Sequence, residues 1–210
     1  MFIELVDALR CPVPHEESWL VASATRMEFR HIVDGTLGCP VCRAEYAVTR
    51  GVVDFRRAAH RPLPPDLPPD ETEATRLAAL LDLTDRTGFA VLVGSWTVHA
   101  PLLRALVETP LVSVDPPDGT EGEPGISVIR CDGELPLAEG AARGVAVDAD
   151  TPARVASAVR ATRAGGRLVL PGGAALPVGV RELARDAAVV VAEREAAASP
   201  PVTLHVRRRS

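Results

Sequence analysis

Between residues 89 and 170, five short apolar runs recur: Phe89-Ala90-Val91-Leu92-Val93, Leu111-Val112-Ser113-Val114, Ile126-Ser127-Val128-Ile129, Gly144-Val145-Ala146-Val147 and Arg167-Leu168-Val169-Leu170. Each is too short for a stable helix and reads as a buried strand. Between some of them lie helical patterns. Glu71 to Arg86 opens on acids and aligns Leu77, Leu80, Leu81 and Thr84 on one face. Pro101 to Glu108 begins on proline, and Pro152 to Ala164 is expected to close at Gly165-Gly166. Strands alternating with helices predict an α/β fold with right-handed crossovers and a mostly parallel sheet covered on both faces. The end of the chain differs. Val189-Val190-Val191-Ala192 and Val202-Thr203-Leu204-His205-Val206 are separated by little beyond Ser199-Pro200-Pro201, which predicts an antiparallel pair at one sheet edge.

Upstream, Arg61 to Asp70 contains five prolines in ten residues, a stiff spacer that suits neither helix nor sheet. It divides the chain into an N-terminal module, 1–56, a linker, 57–71, and an α/β domain, 72–210. The apolar share of 47% supports a packed core, so disorder throughout is excluded. Aromatics at 3% and a net charge of −5 argue against stacking platforms for single strands and against general attraction to phosphate or anionic lipid. Arg207-Arg208-Arg209 is a local basic end. Met1-Phe2-Ile3-Glu4-Leu5-Val6-Asp7 places acids where a secretory signal needs a basic start. No run reaches the roughly 18 apolar residues of a membrane span. The expected setting is soluble and cytoplasmic, without membrane or nucleic-acid partners.

Three of the four cysteines fall in the N-terminal module. Cys39-Pro40-Val41-Cys42 has the spacing that lets two thiolates grip one tetrahedral ion from a tight turn. Cys11-Pro12-Val13-Pro14-His15 supplies a second knuckle, and His31 is an alternative fourth ligand. Cys11, His15, Cys39 and Cys42 would form a closed set around zinc, with no vacancy for a catalytic water. A thioredoxin-like redox pair and a set of unmetallated remnants are the other readings.

These residues resemble a known module. Leu5-Val6-Asp7-Ala8-Leu9-Arg10-Cys11-Pro12, then Leu37-Gly38-Cys39-Pro40-Val41-Cys42, then Tyr46 to Phe55 are similar to the small zinc-ribbon activator subunit of tRNA and protein-release-factor methyltransferases, over about residues 1–56. Pro14 stands where that family usually has a second cysteine. The rest, over about 72–207, resembles the Rossmann-like class I S-adenosylmethionine-dependent methyltransferases. The resemblance rests on the order of Gly94, Asp115, Asp132-Gly133-Glu134-Leu135-Pro136-Leu137 and Arg163-Ala164-Gly165-Gly166. It implies S-adenosylmethionine as cofactor, with Gly94 in the turn under the methionine moiety, Asp115 on the ribose hydroxyls and Asp132 on the adenine amino group. It also places Val147-Asp148-Ala149-Asp150 opposite the reacting methyl.

The first motif departs from the family. An acid followed by alternate glycines is expected, because only glycine lets backbone approach the cofactor so closely. Here Val91 to Ala100 keeps one glycine, replaces the acid by valine, and adds Trp96 and His99, an indole able to fill the methionine pocket. The residues have plainer readings as well. Asp115 and Asp132 serve equally as turn formers, Asp148 and Asp150 as caps of the helix from Pro152, Cys131 as a small buried hydrophobe, and His99 as a satisfied loop histidine. The domain also lacks the insertions that build a substrate lid, and no catalytic residue stands out. The expected function is a zinc-binding pseudo-methyltransferase that serves as a protein-interaction scaffold or activator. The alternative is a working methyltransferase of unspecified substrate.

Overall fold

The computed structural model describes residues 1–56, 68–148 and 151–196. Eleven strands form one sheet in the order β1-β2-β3-β4-β7-β6-β5-β8-β9-β11-β10. The first four are Val21–Glu28, His31–Gly38, Glu45–Thr49 and Val52–Asp54, an antiparallel meander. β5 (Ala90–Val93), β6 (Leu111–Val114), β7 (Ile126–Arg130), β8 (Ala142–Val147) and β9 (Thr162–Pro171) are parallel, as the apolar runs predicted. β4 pairs in parallel with β7, Val53 opposite Ile129, so the sheet continues from the N-terminal segment into the α/β segment.

Side chains alternate between two cores. Val91, Val93, Val112, Val114, Val145, Val147, Leu168 and Leu170 point to one face, which also holds Met1, Phe2, Leu5, Leu9, Leu37 and Val53. Ala90, Leu92, Leu111, Ala146 and Val169 point to the other, beneath α1 (Glu71–Leu80) and α2 (Ala100–Leu106). Residues 115–125 and 131–141, which connect β6 to β7 and β7 to β8, contain no helix. Part of the cover that such crossover helices would give comes instead from a 3₁₀ helix at Ile3–Ala8, whose Leu5 is fully buried. Phe2 N–H donates to Ser127 Oγ of β7 at 2.9 Å.

Three expectations need correction. α1 ends at Leu80 rather than Arg86, because Asp82 turns the chain with φ +54. α3 spans Pro152–Ala161, and Gly165-Gly166 lies inside β9 instead of capping the helix. Gly166 is needed there because a Cβ would stand 2.4 Å from the Arg143 carbonyl oxygen. The antiparallel partners of β11 (Val189–Arg194) are β9 and β10 (Val180–Arg185); the run 202–206 lies outside the described residues, as do 57–67 of the proline-rich segment. β10 escaped the sequence reading because Val180-Arg181-Glu182-Leu183-Ala184-Arg185 is mostly exposed and has no apolar run. Both outermost strands carry register shifts, at Ala24/Arg26 and Arg26/Met27 in β1 and at Glu182/Ala184 in β10. Among the described residues, no helix is long and apolar enough to cross a membrane.

Candidate metal centre and cofactor cleft

The two predicted knuckles meet. Cys39 follows β2, and its turn is closed by Cys39 N–H to Ala44 O and Arg43 N–H to Cys39 O, both 2.9 Å. Cys11 is held by its N–H on Ser18 O at 3.0 Å. One ligand atom from each of Cys11, His15, Cys39 and Cys42 lies within 4.8 Å of every other. Cys11 Sγ is 3.6 Å from Cys42 Sγ, and Cys39 Sγ is 3.5 Å from His15 Nε2. A tetrahedral zinc with ordinary bond lengths requires edges of about 3.8 Å between sulfurs and about 3.6 Å between sulfur and nitrogen. The donor set and spacing therefore fit such an ion.

The surroundings suit it too. His15 Nδ1 donates to Glu16 O at 2.5 Å, which leaves Nε2 as the acceptor aimed at the cluster. Burial raises the Cys39 thiol, but the N–H groups of Cys42 and Val41 and the neighbouring thiols outweigh it and bring the pKa to about 6. Burial pushes Cys11 upward, partly countered by the Val13 amide and the Tyr46 hydroxyl, 3.6 Å away. His31 is elsewhere, buried with Nε2 2.5 Å from the Met1 nitrogen, and burial followed by that amine lowers its pKa to about 4.

At the carboxyl ends of the parallel strands the residues implied by resemblance are engaged by the protein itself. Gly94 has φ +68, and a Cβ there would lie 1.9 Å from Asp148 Oδ1. The same carboxylate accepts Ser95 N–H at 2.5 Å, so Asp148 sits directly on the turn after β5. Asp115 is 5% exposed and takes φ +53. Its Oδ1 accepts Cys131 N–H at 2.9 Å. Its Oδ2 lies 2.9 Å from Arg154 Nη2, a charge contact without the alignment of a hydrogen bond. Arg154, from α3, also donates to Cys131 O at 3.1 Å. Burial, first among the influences on Cys131, pushes its thiol up to about 12. Nearby, Arg130 ties down the turn after β6 through Pro116 O at 3.1 Å and Pro117 O at 3.2 Å. Asp132 is exposed and lines a cavity of about 610 Å³ with Cys11, Pro12, Pro14 and His15.

Trp96 corrects the sequence reading. It is partly buried and packs against the core cluster that includes Leu77, Leu92 and Leu103, with its ring centroid 6.3 Å from that of His99. His99 Nδ1 accepts Asp70 N–H at 3.2 Å and so secures the entry to α1.

Sequence reasoning missed Arg154 and underrated Asp148. One signal was present: Arg154 is a cation in the first turn of a helix that has no acid there, against the dipole, which calls for a specific carboxylate nearby.

No protein-family model matches the chain, and no curated protein does. Among solved structures, a protein from Corynebacterium glutamicum is 19% identical over 63% of this chain and 84% of its own, with a TM-score of 0.44. A putative S-adenosyl-L-methionine-dependent methyltransferase from Methanococcus maripaludis is 9% identical over 61% and 86%, with a TM-score of 0.45. A putative sarcosine dimethylglycine methyltransferase from Galdieria sulphuraria is 12% identical over 48% and 45%, with a TM-score of 0.37.

Proposed function

We propose that this chain is a zinc-binding, methyltransferase-shaped protein that carries out no methyl transfer and acts by holding another protein. The observation that carries the reading is the buried Asp115–Arg154 contact. A carboxylate meant for ribose hydroxyls has to be open to the cleft, whereas Asp115 is 5% exposed, with Oδ1 on the Cys131 amide and Oδ2 2.9 Å from the Arg154 guanidinium. Asp148 on the Gly94 turn supports the same conclusion, since its carboxylate already takes the Ser95 amide.

Zinc would be held by Cys11, His15, Cys39 and Cys42. With all four positions taken by side chains it would supply a structural tie and no activated water. A thiol cluster of this kind suits a reducing compartment, in keeping with the cytoplasm. The ribbon's outer strand and its flanks leave Trp19, Val21, Met27 and Phe29 exposed, apolar side chains that offer contacts to a protein partner.

Calorimetric titration of zinc-loaded protein with S-adenosylmethionine and S-adenosylhomocysteine tests the proposal. Silence from folded protein is expected. Micromolar binding of either would favour the alternative, a working methyltransferase, and Asp115→Ala would then be expected to weaken that binding.

A further inference from the structure

We infer that metal occupancy of the Cys11–His15–Cys39–Cys42 cluster governs the order of the 131–139 loop, so that the ribbon acts on the carboxyl edge of the α/β segment from outside. The inference rests on the zinc-binding reading above.

The connection runs through one short stretch of backbone. On one side of it, Leu20 N–H donates to Leu9 O at 3.3 Å, Cys11 N–H to Ser18 O at 3.0 Å, and Arg10 bridges Trp19. On the other, Arg10 N–H donates to Pro136 O at 3.0 Å, Ala138 N–H to Ala8 O at 2.8 Å, and Leu9 bridges Leu137. Ala8 to Cys11 is thus the middle strand of a small patch whose outer member is the 131–139 loop. That loop contains no helix. It is also anchored to α3, through Leu135 N–H to Ser157 Oγ at 3.0 Å and Arg160 to Leu135 O at 3.5 Å, to Asp115 through Cys131 N–H at 2.9 Å, and to β11 through Arg194 and Glu139.

Cys11 ends the middle strand and contributes one of the four ligands. Without an ion, only thiol contacts such as the 3.6 Å approach of Cys11 Sγ to Cys42 Sγ join the two knuckles, whereas four bonds to one ion would tie them firmly together. When Cys11 moves, the bond from Arg10 to Pro136 is the next to loosen. The cavity of about 610 Å³ between the knuckle and the loop has Cys11, Pro12 and His15 on one wall and Asp132, Leu135 and Pro136 on the other, so its shape follows the metal. The effect reaches the cleft at Cys131, whose carbonyl is held by Arg154.

Hydrogen exchange of the full chain tests this, with zinc bound, after chelation, and for Cys42→Ser in the presence of zinc. Chelation is expected to speed exchange on the order of tenfold or more in peptides spanning 8–11 and 131–139, while β6 keeps its protection. Cys42→Ser, which retains three ligands, is expected to give the same pattern to a smaller degree. An unchanged 131–139 loop beside faster exchange at 11–15 and 39–42 would overturn the inference. Equal acceleration everywhere, β6 included, would overturn it too, because the metal would then be supporting the whole sheet. A chain that takes up no zinc would sink the zinc reading as well, a result read separately by metal analysis of the purified protein.

Discussion

In the N-terminal segment, Cys11, His15, Cys39 and Cys42 bring one ligand atom each within 4.8 Å of every other, with His15 oriented by its Nδ1 bond to Glu16 O. At the carboxyl edge of the parallel strands the opposite holds: Asp115 faces Arg154, Asp148 faces Ser95, and Arg130 faces the carbonyls of Pro116 and Pro117. Both regions carry residues of the right types in the right order along the chain. What separates them is what the groups face: one another in the first region, a protein cation or amide in the second. A ligand site needs donors or acceptors whose capacity the protein has not already used, and order along a sequence cannot report that.

The largest effect is expected at the Cys11–His15–Cys39–Cys42 cluster. Structural zinc in small domains is bound with about 10–16 kcal/mol, so Cys39→Ser is expected to weaken zinc by on the order of 100-fold or more in a chelator competition. Unchanged affinity would mean that the cluster does not hold the ion. Next comes the cleft. Arg154→Ala leaves Asp115 as an unpaired buried charge and is expected to cost about 3–5 kcal/mol in urea denaturation. Pairing it with Asp115→Asn should recover much of that loss, and two independent, additive effects would show that the contact holds nothing.

A smaller effect is expected at the turn after β5. Gly94→Ala brings a Cβ against Asp148 at a positive φ, for about 1–3 kcal/mol of destabilisation, and a shorter side chain at Asp148 should relieve part of it. Free tolerance of alanine would mean that the turn has room, which would reopen it to a cofactor. The smallest effect concerns acid. Asp85 is held at a pKa of about 2, first by the Thr87 hydroxyl and amide and then by Arg143. A depressed carboxylate contributes stability that is complete above its unfolded value of about 3.9 and fades as pH falls through the folded one. The melting-temperature gap between the protein and Asp85→Asn should therefore be constant above about pH 5 and close toward about pH 2. A gap that ignores pH would remove Asp85 from the acid response of this half.

Much of the α/β half was legible because β5 to β8, and the second half of β9, are largely buried on both faces and so are mostly apolar. β10 was not, since an exposed edge strand is under no such demand. The candidate ligands could be named from spacing, with His31 as the alternative to His15, because a metal turn brings residues three or four positions apart to one ion. The pairing of Val53 with Ile129 left no trace in either segment, as a backbone contact between distant strands asks little of side-chain identity. The contact between Asp115 and Arg154 was hidden for the same reason of distance, though a cation in the first turn of α3 hinted at a partner.

The register shifts in β1 and β10 have a consequence for life at high concentration. Among the described residues β1 and β10 are the outermost strands of the sheet, and an outer strand can template pairing with further chains. A bulge bends and twists the margin that carries it, so a flat neighbour finds no continuous line of matching amides. Such a bend disfavours edge-to-edge growth into a fibre.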